Sequence, residues 1–253
     1  MRFPTDKRYG KFLIPPVIET LLSVTTAERK TCFCQSVEES PRSAFCAAVP
    51  LALTRLRRES ALRTSKYLAI VESAMNPKAK SHSGATGLWQ FMYQTGKQYN
   101  LKIDSYVDER SDPLKASEAS AQYMANMYTI FGDWDLALAA YNSGPGNVSK
   151  AIRRSGGYQN YWNIRPFLPR ETAGYLPAFL ATMYIFEYAE EHGFKKIKPD
   201  FRYRETDTIQ IKHMITLDQI SELLDIPIEE LQFLNPSYKL DIIPYIEGEN
   251  YVL

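Results

Sequence analysis

Glu72 is the residue of this sequence whose position best fits acid–base chemistry. It lies four residues after Leu68, beside an apolar stripe that Leu68, Val71 and Met75 form on a predicted helix over residues 67–75. Apolar surroundings raise the pKa of a carboxylic acid, and a protonated carboxyl can donate to the leaving oxygen of a glycosidic bond. For Glu72 taken by itself, a solvated glutamate near a helix end is the alternative interpretation.

A glycine-rich segment, residues 81–92, follows this helix. Gly84 and Gly87 permit close approach of the backbone, while Trp89 and Gln90 offer an aromatic face and an amide to a sugar. A carbohydrate groove would use all of these groups. A glycine turn followed by a core tryptophan is the alternative, because this glycine spacing is weak evidence by itself.

A second carboxylate would be needed for most forms of glycoside hydrolysis, unless the substrate's own N-acetyl group replaces it. The candidates are Asp104, Asp108, Glu109 and Asp112, which a solvated loop and a helix cap also explain. If one of them faced Glu72, hydrolysis would be the better interpretation of the site.

Composition excludes several functional classes. Among 253 residues, 30 Lys and Arg balance 29 Asp and Glu, so the net charge of +1 does not favour nucleic acid as a partner. No apolar run is long enough for a transmembrane span. His82, His192 and His213 lack the spacing of metal ligands, which predicts no metal and no other cofactor, and His82 is interpreted as a surface loop residue.

The elements that position these groups are predicted to be helices. One is capped by Asp112, begins at Pro113 and ends at Gly132. Its predicted buried face consists of Leu114, Ser117, Ala121, Met124, Ala125 and Tyr128.

Two further helices follow. Asp133 caps a short one that runs to Tyr141, and residues 142–146 are predicted to form a tight loop. The other is predicted over residues 171–192, with Gly193 as its stop. Its core-facing residues are predicted to be Tyr175, Phe179, Met183 and Phe186.

The pattern changes after Pro199. Residues 208–211 and 251–253 have β-like sequences, and between them two short helices are predicted over residues 217–224 and 228–234. The C-terminal part is therefore predicted to be a small βααβ module.

Four ordered motifs resemble those of family 1 lytic transglycosylases, most nearly of the membrane-bound type D branch. They are Glu72-Ser73, Gly84 to Met92, Ala140 to Gly144, and Glu171-Thr172 with Tyr175. The resemblance covers roughly residues 66–195, and the four motifs together are far more specific than any one. It implies a mainly α protein in which a lysozyme-like helical catalytic domain precedes the small α+β module.

The resemblance also implies an activity and a site. Glu72 would protonate the bond between N-acetylmuramic acid (MurNAc) and N-acetylglucosamine (GlcNAc) in peptidoglycan glycan strands. It would then act as base on the MurNAc C6 hydroxyl, which leaves a 1,6-anhydro end and makes the protein a lyase. The implied groove residues are Gln90, Tyr141, Asn142 and Tyr175, and Ser73 and Ser83 are implied as supporting hydroxyls. For Tyr141 and Tyr175, core packing is the alternative.

The C-terminal module resembles a divergent LysM unit, a class that binds N-acetylglucosamine glycans. His213 to Ile215 stand where such units have a Gly-Asp pair, so a purely structural role is an equal alternative. The expected domains are a catalytic domain over residues 66–198 and the LysM-like module over residues 199–253, which we expect to be truncated.

Residues 1–65 form an atypical segment that we expect to be poorly packed. Residues 31–65 do not resemble the family, and a shifted reading frame upstream of Lys66 is our hypothesis for this change. Cys32, Cys34 and Cys46 would then carry no function, and no signal peptide is visible in the N-terminal sequence.

Three functions follow from these expectations. The first is a monomeric lytic transglycosylase in the periplasm of a Gram-negative bacterium, near the outer membrane as its relatives are. The second is a catalytically inactive peptidoglycan-binding module. The third is a hydrolytic muramidase of the goose-type lysozyme kind, which differs in the end of the product.

Overall fold

The computed structural model describes residues 61–195 and 207–253. The predictions for the three cysteines, and the prediction of a poorly packed segment over residues 1–65, lie outside the described residues except at residues 61–65, which are helical.

The first described range is helical. Its elements are α1 (Ala61–Ser73), α2 (Tyr93–Gln98), α3 (Pro113–Phe131), α4 (Trp134–Ser143), α5 (Pro145–Arg154), α6 (Tyr161–Ile164), a 3₁₀ turn (Arg165–Phe167) and α7 (Arg170–Glu187). The second described range contains β1 (Ile215–Thr216), α8 (Leu217–Leu224), α9 (Ile228–Leu234) and β2 (Ile242–Ile243). The predicted fold class, mainly α with a small α+β module, is confirmed.

Helix α4 lies at the centre of the larger core. It packs on α3, α5 and α7, and α7 also packs on α1. Leu136, Ala137, Ala139 and Ala140 are fully buried on α4. The small alanine side chains let neighbouring helices approach closely, so α7, which carries Tyr175, packs directly on the helix that carries Asn142.

Helix α1 differs from its prediction at both ends. Within the described residues it already runs from Ala61, before the predicted start at residue 67, and it ends at Ser73, so Met75 lies outside it and is 53% exposed instead of lying on the buried stripe. Ala74 and Met75 adopt left-handed φ angles of 52° and 64°. The chain leaves the helix there because Pro77 disfavours helical backbone in the residue before it.

Helix α3 has the predicted ends but a different buried face. Asp112 accepts hydrogen bonds from the amides of Leu114 and Lys115, and Gly132 closes the helix at φ 65°. The predicted face was wrong except at Met124, since Leu114, Ala121, Ala125 and Tyr128 are exposed and Ser117 is only partly buried. The buried residues are Ala116, Ala119, Ser120, Met124 and Met127. The small side chains on this face allow close packing against α4. Outside this face, the ring of Tyr128 stacks on that of Trp134, the first residue of α4, with 4.1 Å between the ring centroids.

The predictions for the segments around α5 and α7 were also partly wrong. The predicted loop at residues 142–146 is a single residue, Gly144 at φ 83°, because Pro145 begins α5 at once. Helix α7 ends at Glu187, before Gly193, and Phe186 is 55% exposed. Burial of Tyr175, Phe179 and Met183 is confirmed.

The C-terminal module has the predicted βααβ order with its strands in other places. β1 pairs antiparallel with β2, with Ile215 opposite Ile243. The segments predicted as strands meet instead in an isolated antiparallel bridge between Gln210 and Val252. At the start of α8 the Thr216 amide donates to Oε1 of Gln219 at 3.1 Å, which satisfies a backbone donor at the helix N-terminus.

Candidate active site

Glu72 and Tyr175 meet where α1 packs on α7. The Tyr175 hydroxyl donates a hydrogen bond to Oε1 of Glu72. Leu68 and Phe179, one turn away on the same helices, are 1% exposed, so a packed apolar contact fixes the spacing of the two helices. Glu72 is itself only partly buried, which leaves its carboxyl within reach of a ligand.

The surroundings of Glu72 keep its carboxyl protonated up to a higher pH than is usual for a glutamate. Burial of the carboxyl raises the pKa of Glu72 to about 7, the hydrogen bond from Tyr175 opposes this shift, and the negative charge of Glu171 adds to it. Burial also raises the pKa of Tyr175 well above its usual value, so that hydroxyl remains a donor. A carboxyl with a pKa near 7 can act as acid and then as base near neutral pH.

Side chains from the other motifs bind backbone carbonyls of the glycine-rich loop over residues 79–91, which we call the motif loop. Ser73 donates to the Leu88 carbonyl and Tyr141 donates to the Trp89 carbonyl, each at 2.9 Å. Gln90 donates to the carbonyls of Ala79 at 3.2 Å and Gly87 at 2.9 Å. These three predicted site residues are thus brought together on one loop beside α1.

Gln90 holds a strained backbone conformation in that loop. Its φ of 48° lies in the left-handed region, which costs a residue with a Cβ of the order of 1 kcal/mol. The two hydrogen bonds of its own side chain stabilise this conformation. We therefore interpret Gln90 as a residue whose orientation is set before any ligand binds.

Asn142 joins the site through α7. Its Oδ1 accepts a hydrogen bond of 2.8 Å from Oγ1 of Thr172, which is 1% exposed and lies three residues before Tyr175. This bond orients the Asn142 amide, and its Nδ2, which carries the donors of the side chain, can donate to a ligand.

Two residues of the glycine-rich segment lie apart from this network. Ser83 is exposed, and within the described residues no hydrogen bond joins its side chain to Glu72. His82 is exposed on the same loop, as expected. Trp89 is 6% exposed and donates to Ser117 at 3.0 Å, so its interpretation as a sugar platform was wrong and the core-tryptophan alternative holds.

Each member of the acidic run has a structural partner. Asp104 accepts from the amides of Tyr106 and Val107, and Asp108 pairs with Arg110. Glu109 accepts from the Lys102 amide and Lys115, and Asp112 caps α3. The carboxylate whose charge acts on Glu72 is Glu171, which the sequence interpretation had not considered for this role.

Arg110 is another residue that the sequence interpretation missed. Its Nη1 donates to the carbonyls of Gly84 and Phe91 at 3.1 Å each, and it is 7% exposed. A buried arginine in an Asp-Glu-Arg-Ser-Asp segment resembles a solvated charge cluster in sequence, so only the fold reveals that it holds the motif loop.

Comparisons with known proteins find a family match in each described range. Residues 54–164 match the family described as transglycosylase SLT domain. Residues 205–253 match the family described as lytic transglycosylase MltD, LysM-like domain. The chain belongs to the transglycosylase SLT-domain family. The predicted resemblance, including the divergent LysM-like module, is confirmed, but the family match begins at residue 54, so the expectation that residues up to 65 do not resemble the family was wrong for residues 54–65.

Two named relatives and one solved structure illustrate the likeness of this SLT-domain protein. It is 32% identical to membrane-bound lytic murein transglycosylase D of Escherichia coli K12 over 190 residues, which are 74% of this chain and 41% of that protein. It is 35% identical to soluble lytic murein transglycosylase of Salmonella typhimurium over 51% of this chain and 21% of that protein. The crystal structure of the 70 kDa soluble lytic transglycosylase of Escherichia coli shares 30% identity at a TM-score of 0.43, over 55% of this chain and 24% of that one. The SLT-domain protein thus spans well under half the length of these relatives.

The described residues of the SLT-domain protein show neither a metal-binding cluster nor a membrane-spanning helix. Within residues 61–195 and 207–253, no group of three or more His, Cys, Asp and Glu side chains is arranged to hold a metal ion. None of the helices in the described part of the chain combines the length and apolar character that crossing a membrane requires.

Proposed function

We propose that this SLT-domain protein is a lyase that cleaves the β-1,4 bond from MurNAc to GlcNAc in peptidoglycan, with Glu72 as its single acid and base. The observation that carries the proposal is the carboxyl of Glu72, whose pKa is raised to about 7 beside a hydroxyl donor from Tyr175. The family membership and the names of the relatives support the substrate.

In the first step Glu72 acts as the acid. Because Tyr175 donates to Oε1, the proton of the neutral carboxyl lies on Oε2 and is free to move to the glycosidic oxygen. The bond from MurNAc C1 to that oxygen breaks, and GlcNAc leaves with a hydroxyl group. The N-acetyl group of MurNAc stabilises the positive charge at C1, as in substrate-assisted glycosidases.

In the second step the same residue acts as the base. The carboxylate of Glu72 retains the hydrogen bond from Tyr175, which stabilises its negative charge until it takes the proton of the MurNAc C6 hydroxyl. The C6 oxygen then bonds to C1 and closes the 1,6-anhydro ring. Glu72 ends the cycle protonated, and no water is consumed.

The other predicted site residues divide into two roles under this proposal. Gln90, Asn142 and Ser83 contact the glycan, with Nδ2 of Asn142 as a donor to an acetamido carbonyl. Ser73 and Tyr141 act on the glycan indirectly, because their hydroxyls hold the Leu88 and Trp89 carbonyls of the motif loop.

A hydrolytic muramidase is the second candidate, since the Glu171 charge acts on Glu72 and an exposed carboxylate could activate a water molecule. The absence of catalysis, with glycan binding alone, is the third. For the lyase we further propose a monomer acting in the periplasm at the outer membrane, where intact murein lies.

Release of soluble muropeptides from purified sacculi tests the proposal. The wild type and Glu118→Gln, an exposed glutamate on α3, are expected to release muropeptides at equal rates. Glu72→Gln is expected to be at least about a hundredfold slower, since it cannot donate or accept the proton. Equal rates for Glu72→Gln would exclude Glu72 as the acid, and no release by the folded wild type would favour a binding module.

A further inference from the structure

The loop between α2 and α3, residues 101–112, completes the core of the LysM-like module. Val107 of this loop is 4% exposed and lies in the module's apolar cluster, away from the helical core that surrounds α4. The other buried members of that cluster are Leu217, Ile220, Leu231, Tyr238, Ile243 and Tyr251. A module this small buries few residues of its own, so one side chain from the SLT domain is a substantial part of its core.

Backbone pairing accompanies this apolar contact. Val107 forms an antiparallel bridge with Tyr238, the Asp108 amide donates to the Ser237 carbonyl at 2.8 Å, and the Lys239 amide donates to the Tyr106 carbonyl at 2.8 Å. Buried backbone groups that pair in this way are costly to separate. The contact is therefore specific in register as well as in shape.

Lys102 adds a charged contact at the edge of the same surface. Its Nζ donates to the Tyr251 hydroxyl at 2.6 Å and pairs with the Glu249 carboxylate. Although partial burial disfavours its charge, the hydrogen bond to Glu249 raises the pKa of Lys102. The module is thus attached by an apolar side chain, paired backbone and an ion pair.

The loop between α2 and α3 contacts the LysM-like module through Val107 and also contacts the motif loop, through Arg110. Asp108 binds the Arg110 guanidinium with both oxygens, at 2.9 Å and 2.7 Å, and the side chains of Arg110 and Asp108 are 8% and 10% exposed. Arg110 in turn donates to the carbonyls of Gly84 and Phe91. Only the planar guanidinium can bind a carboxylate with two atoms and still reach two carbonyls.

The backbone of Arg110 also fits closely against the motif loop. A Cβ on Gly87 would lie 1.8 Å from the Arg110 carbonyl oxygen, so these two backbones are in contact. Gly87 stands three residues before Gln90, whose strained φ depends on the shape of this loop. A shift of Arg110 therefore displaces the segment that carries Gln90.

We propose that the LysM-like module is a fixed part of the active site, and that Asp108 and Arg110 are positioning residues that transmit its docking to the loop bearing Ser83 and Gln90. The sequence of contacts runs from Tyr238 to Val107, then to the Asp108–Arg110 pair, and then to the Gly84 and Phe91 carbonyls. The effect on glycan cleavage rests on the proposed function, whereas the mechanical coupling does not.

Amide hydrogen exchange in the full chain without glycan tests the coupling. The reporters are the amides of Thr86, Gly87 and Phe91, which are hydrogen bonded within or beside the motif loop. Val107→Ala weakens docking without touching that loop and is expected to speed exchange of all three by about tenfold. Lys102→Met is expected to act in the same direction, and Lys97→Met, an exposed lysine on α2, is expected to change nothing.

Arg110→Lys tests the positioning pair itself. It keeps the positive charge but loses the planar guanidinium that binds Asp108 and the two carbonyls together. Exchange of the same amides is therefore expected to become faster. KM for a soluble glycan strand is expected to rise about tenfold, with a smaller change in kcat. The alkaline limb of the pH profile is expected to stay unchanged, because Glu72 and Tyr175 keep their contact. Wild-type exchange in both Val107→Ala and Arg110→Lys would overturn the proposal. If the wild type cleaves no glycan, the proposed function fails, but the exchange data still decide whether the coupling exists.

Discussion

The Tyr175 hydroxyl donates its hydrogen bond to the carboxyl of Glu72, whose pKa the fold raises to about 7. The bond lowers this pKa while burial raises it, so the two effects together determine the value. Tyr175 therefore acts on the chemistry of Glu72 as well as on the packing of α7.

Tyr175→Phe is expected to raise the pKa of Glu72, because it removes the hydrogen bond that stabilises the carboxylate. The alkaline limb of the pH profile of kcat/KM should move to higher pH. At pH values below this limb, kcat/KM should fall about tenfold, because no hydrogen bond from Tyr175 orients the Glu72 carboxyl. Kinetics on a soluble glycan strand across pH 5–9 would measure both effects. Tyr128→Phe, an exposed tyrosine on α3, is the control, and an unshifted limb would exclude the role given to Tyr175.

Glu171→Gln is expected to shift the same limb in the opposite direction. Removing the Glu171 charge lowers the pKa of Glu72, but less than the loss of burial would, because Glu171 is exposed and solvent screens its charge. The product ends should remain anhydro. Reducing ends that disappear in this variant would instead assign Glu171 as the second carboxylate of a hydrolase.

The stability of the fold should depend on pH through Glu72. The folded state holds the proton up to about pH 7 and the unfolded state only to about 4.5, so raising the pH through this interval lowers the free energy of unfolding. Glu72→Gln should lose this dependence and be more stable than the wild type above pH 7 by about 3 kcal/mol. Urea denaturation at pH 4 and pH 8 measures the difference. A stability difference that is the same at both pH values would contradict the raised pKa.

The motif loop gives a test of its close packing. Gly87→Ala is expected to destabilise the fold by about 3 kcal/mol or more, because its φ of 89° is strained for alanine and the Cβ would meet the Arg110 carbonyl. Gly146→Ala is the matched control, since α5 has open space there and alanine should stabilise the helix by about 0.5–1 kcal/mol. Thermal denaturation compares the two, and equal midpoints would show that the loop does not pack as described.

The sequence predicted most of the helical elements and the motif residues because these depend on local signals. Asp112 and Gly132 bound α3 through capping chemistry that the chain carries itself. The buried face of α3 could not be predicted in this way, because it depends on which neighbour packs against Ala116 and Ala119. Periodicity places residues on a common face but does not say which face meets another helix.

Contacts between residues that are far apart in the chain could likewise not be predicted from the sequence. Arg110 lies 26 residues from Gly84, and its role follows only from the fold that brings the two loops together. Val107 is one apolar residue in a polar segment, so no local pattern indicates that it belongs to the core of the C-terminal module. Glu171 acts on Glu72 only because α7 packs on α1.

Cleavage of purified glycan strands in water enriched in ¹⁸O tests the central claim most directly. If Glu72 directs the MurNAc C6 hydroxyl to C1, mass spectrometry will find product ends that lack one water and carry no ¹⁸O, and Glu72→Gln will produce none of them. Reducing ends that carry ¹⁸O would contradict the account and identify a hydrolase.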